Sequence, residues 1–177
     1  GNATTARQTR SFEAWITTNK SRGTGGADGS ASAAATDAAT GNRRALTEAL
    51  LKGVLQSMFT NGAEPKMDIA GPVNKGVISG FTGRANTRQN VSADTVSASI
   101  SVYASDFGEL QIVPSNRSRD RSLLLVDPEY AKVAYLRNFQ TMDIAKIGDA
   151  DTKMILAEYG LEMSNEAAHG IVADLTD

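Results

Sequence analysis

Apolar positions recur with a period of two along residues 152–163, TKMILAEYGLEM. Ile155, Ala157, Tyr159, Leu161 and Met163 share one side; Leu156, Glu158, Gly160 and Glu162 share the other. This period predicts a β-strand with one buried face. After the polar connection Asn165-Glu166-Ala167-Ala168, residues 169–175 alternate again. The expected object is a hairpin with one long arm. A hairpin is not stable alone, so chain upstream must cover it.

The upstream pattern supplies candidates. Leu46, Leu50, Val54 and Met58, flanked by Leu51, Leu55 and Phe59, form an i, i+4 stripe. It predicts a helix over 43–60, capped by Asn42 and stopped by Asn61-Gly62. Residues 67–70 read as a short strand. Pro72 opens a second helix, where Gly76 and Gly80 point to close backbone approach. Alternation over 95–103 places Val96, Ala98, Ile100 and Val102 on one side. Residues 109–113 return with Leu110 and Ile112 inward, joined by a turn at 105–108. Leu123 to Val126 is an apolar run too short for a helix, hence a strand buried on both faces. A turn at 127–130, a strand at 133–137 and an irregular stretch to Asp151 complete the chain. Helices come first and strands follow, which predicts an α+β fold with a mixed or antiparallel sheet packed by two helices.

Composition narrows the function classes. The 177 residues suffice for one domain with a real core. The absence of cysteine excludes disulfides, thiolate metal sites and cysteine nucleophiles. Residues 21–42 are Gly, Ala, Ser and Thr with almost no bulky side chains, so a mobile loop is expected there. The division is therefore a polar segment and flexible loop over 1–42 and an α+β domain over 43–177. Within the first, Phe12, Ala14, Trp15 and Ile16 form a docking patch. No apolar run is long enough to span a bilayer, and the first residues lack an apolar signal core.

Charge is uneven. Residues 138–177 carry two basic and eight acidic side chains, and residues 1–137 carry sixteen and twelve. Either this is a solvated acidic edge or copies of the chain meet through complementary surfaces. Arg84 and Arg88 in one loop, and Arg117, Arg119 and Arg121 in another, are candidates for such contacts, with Glu158 and Glu162 opposite them.

Catalytic patterns are weak. His169 is the single histidine, and no Gly-x-Ser-x-Gly elbow or zinc ligand set accompanies it. It reads as a hydrogen-bonded structural residue. Asp149 and Asp151 lack the glutamate of a calcium loop and read as a turn. Glu158 and Glu162 would work as acid and base only if their face lined a cleft. The Asp106-Phe107-Gly108 triplet lacks every other kinase signal. No catalytic residue, metal or cofactor is assigned.

Four stretches together carry a resemblance. They are VNKGVISGFTG (73–83), VYASDFGEL (102–110), LLVDPEYAKVAYLR (124–137), and KIGD (146–149) continued by MILAEY (154–159) and EAAHG (166–170). Their order and spacing are similar to the C-terminal half of tailed-bacteriophage and prophage major capsid proteins with the Hong Kong 97-like fold. The resemblance implies a self-assembling structural subunit of the virion capsid, without catalysis, assembled in the bacterial host cytoplasm around a packaged genome that it does not read by sequence. Its partners would be other copies, in pentamers and hexamers when full length, with no membrane. It also implies a fragment, holding most of the axial domain and part of the peripheral one, since no long spine helix precedes residue 43. Three other readings stay open: a nanocompartment shell of the same fold enclosing protein cargo, a hydrolase using Glu158, Asp127 or His169, and a phage-associated binding module using loops 84–91 and 115–121.

Overall fold

The computed structural model describes residues 4, 9–30, 33–81, 102–146 and 148–176. The elements run α1 (Phe12–Trp15), β1 (Asn19–Ser21), α2 (Glu48–Thr60), β2 (Met67–Ala70), α3 (Pro72–Ser79), β3 (Val102–Ser105), β4 (Gly108–Pro114), β5 (Ser122–Val126), β6 (Ala131–Asp143), β7 (Lys153–Met163) and β8 (Gly170–Ala173). The fold is α+β. Six strands make a mixed sheet in the order β1-β8-β5-β2-β4-β3, and β6 pairs with β7 in a separate two-stranded ribbon.

Local signals explain the helices. The Thr47 hydroxyl accepts from the Leu50 N–H and starts α2, five residues later than the stripe alone predicts. Residues before it are extended instead, and Arg44 bridges to Leu175. Gly62, at φ +78°, ends the helix as expected. Pro72 opens α3. Gly71 has no side chain to cap it, and Asp120 does so from a distant loop: its carboxylate accepts from Val73 N at 3.1 Å and its carbonyl from Asn74 Nδ2 at 2.7 Å. The close approach expected at Gly76 is absent, since nothing lies within 4 Å of a Cβ built there.

The sheet is covered on both faces. Leu123 and Leu125 of β5 and Val172 of β8 join Leu51, Val54, Leu55, Met58 and Ile78 in the main core under α2 and α3. Ile171, Ala173 and Leu124 face the other way, against Phe12 and Ile16. The docking patch of the first segment thus closes the back of the sheet, and Ile16 is wholly buried. Burial on both faces requires apolar runs without alternation, which is what β5 and β8 show. In β3 it is Tyr103, not Val102, that points inward.

The largest departure concerns the pairing of the long strand. Residues 153–163 do not form a hairpin with 170–173. β7 pairs antiparallel with β6, with Val133 opposite Leu161 and Tyr135 opposite Tyr159. β8 instead lies antiparallel to β5 and parallel to β1. A 3-10 turn at Glu166–Ala168, whose Asn165 side chain accepts from Ala167 N, takes the chain out of the ribbon. Gly170 then admits α2 close to β8: a Cβ there would fall 2.6 Å from Met58 Sδ. The stretch expected to be irregular is strand through Asp143. Register shifts between Tyr135 and Arg137 and between Arg137 and Gln140 break its alternation and hide the period.

Two buried polar side chains tie the segment before α2 to the sheet. Asn19 accepts from Ser57 Oγ at 2.8 Å and Asn61 Nδ2 at 2.7 Å, and donates to the carbonyls of Ala167 and His169. Asp174, at φ 60°, accepts from Gly23 N at 2.9 Å and Ala38 N at 2.7 Å. Gly26 passes so close that a Cβ would run into the Asp174 carboxylate. The stretch expected as a mobile loop is therefore held near both ends by one carboxylate. Backbone hydrogen bonds supply what its small side chains lack in apolar area.

Candidate functional site

The residues weighed for chemistry do not converge on a cleft. His169 is wholly buried, with Phe12 edge-on at 5.1 Å. Its Nδ1 accepts from Asp127 N at 3.3 Å, so Asp127 and His169 do meet, beneath the surface. Burial holds the His169 pKa below its ordinary value, against the pull of the Asp127 carboxylate. A neutral, enclosed imidazole fits a structural role. Glu158 lies on the ribbon, gripped by Arg137 through two hydrogen bonds of 2.7 and 2.8 Å. Asp151, at the ribbon tip, pairs with Lys146 at 2.7 Å. Among the described residues no group of three or more His, Cys, Asp or Glu could hold a metal, and no helix is long and apolar enough to cross a membrane.

One buried acid went unnoticed in the sequence. Asp68 sits in β2 between β4 and β5, and both carboxylate oxygens lack a hydrogen-bond partner. Burial pushes its pKa from the ordinary 3.8 up to about 8, with the Lys75 ammonium opposing. Its position in MDIA, polar within an apolar strand, was the available signal.

The arginine candidates separate. Arg84 and Arg88 lie outside the described residues. Arg119 reaches back to Glu13 at 2.9 Å and Asp37 at 3.0 Å, and Arg121 reaches Asp37 at 3.5 Å. Arg117 is exposed and pairs with no described carboxylate. Glu162 is exposed at the base of the ribbon, opposite Lys132 in the β6–β7 register.

The ribbon is the feature that sequence reasoning missed. Its two faces differ. One holds Arg137 and Glu158, with Lys132 opposite Glu162 nearer the base. The other holds Val133, Tyr135, Phe139, Ile155 and Tyr159, all exposed. The three aromatic rings gather there, with centroids 5.8 to 6.5 Å apart. The face expected to be buried is thus open in the single chain. A groove of about 610 Å³ lies at the bulge, bordered by Tyr135, Ala157 and Tyr159 of this face and by Ala134, Glu158 and Gly160 of the other.

Among the described residues the most distinctive surface is this long two-faced projection. Comparison with known proteins decides the family. The sequence model of the SU10 major capsid protein family matches residues 1–176. The chain belongs to the SU10 major capsid protein family. No curated protein matches the sequence. A virus-like particle from Pyrococcus furiosus is similar in structure at 9% identity and a TM-score of 0.40, covering 73% of this chain and 54% of that one. The chain therefore spans about half the length of that shell protein. Members of an SU10 major capsid protein family are structural by description.

Proposed function

We propose that this chain is a subunit of a bacteriophage major capsid, assembling with other copies into the shell that encloses the genome. The family match along residues 1–176 carries this reading. The subunit is structural and catalyses nothing. Its fold is of the Hong Kong 97-like type: the six-stranded body with α2 and α3 corresponds to the axial domain, and the β6–β7 ribbon leads into the peripheral one. Residues 1–42 add an edge strand and a back cover to the domain over 43–177. Assembly takes place in the host cytoplasm, and the product is the virion capsid. A shell reuses one surface in many copies, so its contacts are few in kind and repeated. With a net charge of −2 the chain offers no strongly basic lining, which suits enclosure of DNA without sequence-specific binding.

Expression of the full-length protein, followed by electron microscopy and nuclease-protection assays, tests this. Closed particles that protect DNA are the expected result. Particles filled with a protein cargo would point to a nanocompartment instead, and a monodisperse monomer would remove the shell reading. The arginines enter as a second test. Reversing the charge of Arg84, Arg88 and Arg117 should weaken association, and more so at low salt. Arg119 and Arg121 should matter less to their neighbours, because Glu13 and Asp37 already hold them. Assembly unchanged by reversal at both low and high salt would discard the arginine contacts.

A further inference from the structure

The β6–β7 ribbon joins the body through two linkers, residues 127–130 after β5 and residues 164–169 before β8. His169 stands where they cross, wholly buried. Its Nδ1 accepts from Asp127 N at 3.3 Å, so the outgoing linker holds the incoming one. From there the bonds run on into the ribbon. Glu129 N donates to the Asp127 carboxylate at 3.1 Å, Tyr130 N to the Asp127 carbonyl at 3.2 Å, and Ser164 N to the Tyr130 carbonyl at 2.9 Å. On the body side Phe12 lies edge-on to the ring at 5.1 Å, and Asn19 Nδ2 donates to the His169 carbonyl at 3.1 Å. No other described strand or helix packs broadly on the ribbon, although Thr9 Oγ1 comes within 3.6 Å of a Cβ built on Gly160.

The chemistry of the ring gives this crossing a second state. An imidazole whose Nδ1 accepts a hydrogen bond carries its own proton on Nε2, which here has no hydrogen-bond partner. A further proton can enter only at Nδ1, where the Asp127 N–H already points. The imidazolium has two donors and no acceptor, so the bond to Asp127 becomes donor against donor. We propose that His169 is a proton-operated latch at the root of the ribbon: neutral, it fastens the 127–130 linker to the body, and protonated at Nδ1 it lets that linker go. The latch lies within one chain, so it stands or falls apart from the shell reading.

The groups around the ring set its direction. Burial disfavours the cation, and the Asp127 carboxylate, the Tyr130 carbonyl and the Glu166 carboxylate favour it; burial prevails, and the ring titrates below its ordinary 6.5. The fastened state holds the neutral ring, so it is complete above 6.5 and is lost as pH falls through the lowered value. Other charges nearby keep their state in that window. Glu129, bonded to Lys66, ionises below the ordinary 4.5, and so does Glu166, which Thr17 and Thr18 hold against the cost of burial. Glu13 of α1 is turned to Arg119 and Ser122, and Arg10 lies over Trp15. From α2, Ser57 and Asn61 reach this region through Asn19 and carry no charge.

The chain has one histidine and no cysteine, so the ring signals assign themselves and two introduced thiols can be labelled cleanly. NMR of the full chain follows the ring from about pH 8 to about pH 5. Hydrogen exchange, corrected for its intrinsic pH dependence, follows the Asp127 and Ser164 amides over the same range. Spin labels on Gln56→Cys in α2 and Asp149→Cys near the ribbon tip report how the ribbon is set. At the alkaline end the ring should be the Nε2–H tautomer. As it titrates, protection at Asp127 and Ser164 should fall about tenfold more than at Leu125 of β5, and the label distances should broaden, all with the midpoint of the ring. His169→Asn offers an acceptor that does not titrate, and it should hold protection and distances constant. The latch is overturned by an Nδ1–H ring, by a ring that stays neutral down to acid unfolding, by Asp127 protection that ignores the titration, or by the same loosening in His169→Asn. Should His169→Asn not fold, the agreement or disagreement of midpoints in the wild type decides alone.

Discussion

Every residue of β5 but Leu124 is buried, and no residue of β7 is. Both strands carry several apolar side chains and both pair with neighbouring strands. The difference lies in what covers them. β5 runs through the middle of the body, with α2 and α3 on one face and the Phe12–Ile16 segment on the other. β7 belongs to a ribbon of two strands, on which no other described strand or helix packs broadly. Apolar composition therefore marks a surface that must be covered, and it does not say whether the cover comes from the same chain.

The same truncation made in each strand separates the two cases most sharply. Leu125→Ala empties a fully buried site and should cost about 2–5 kcal/mol. Ile155→Ala removes a side chain that is 72% exposed and should change stability by no more than about 0.5 kcal/mol. Urea titration of the isolated subunit reads both. Equal losses would mean that the ribbon is packed in solution.

Acidity probes the interior of the body alone. Asp68 ionises near 3.8 when unfolded and at about 8 when folded. Between these values the folded state holds a proton that the unfolded state has released. Its contribution to stability is complete below pH 3.8 and fades as pH rises through about 8, on the order of a few kcal/mol in all. His169 acts in the opposite sense: its lowered pKa favours folding above its ordinary 6.5 and costs stability as pH falls. The difference between wild type and Asp68→Asn isolates the first effect. Asp68→Asn should gain on the wild type steadily from pH 4 to 8, read as unfolding midpoints. A constant difference would place Asp68 in contact with water.

What the sequence disclosed followed from how local each signal is. β2, α3, β5 and the turn before Gly108 were legible because Pro72, the turn residues and an unbroken apolar run act over a few neighbours. The partner of β7 was not, since alternation states that a strand has two faces and is silent on which strand lies beside it. Two register shifts near Arg137 also erased the period of β6. The holding of residues 23–38 depended on one carboxylate more than 130 positions away. For the assembly surface, charge was the legible cue, and it led to Arg119 and Arg121, which the structure engages internally. The exposed aromatic face needed the β6–β7 register before Tyr135, Phe139 and Tyr159 could be seen as one patch.

Asp174 tests how firmly the early segment belongs to the body. Asp174→Ala leaves the Gly23 and Ala38 amides without their acceptor and places a Cβ-bearing residue without a polar side chain at φ 60°. The loss of buried hydrogen bonds should cost about 1–3 kcal/mol. Hydrogen exchange at Gly23 and Ala38 should accelerate strongly, while exchange in β5 quickens by no more than the global loss of stability allows. Unaltered protection at both amides would show that other contacts hold the segment.

The smallest effect belongs to the ribbon's charged face. Arg137 and Glu158 form a bidentate pair, but the Arg137 side chain is about half exposed, so water and salt screen it. A double-mutant cycle with Arg137→Ala and Glu158→Ala should yield only a small coupling in 0.1 M salt, shrinking further in 1 M. Its meaning lies in the contrast with the aromatic face of the same two strands. If the pair only aligns β6 with β7, breaking it should leave subunit association unchanged. Loss of association on breaking the pair would place a copy-to-copy contact on the charged face of the ribbon.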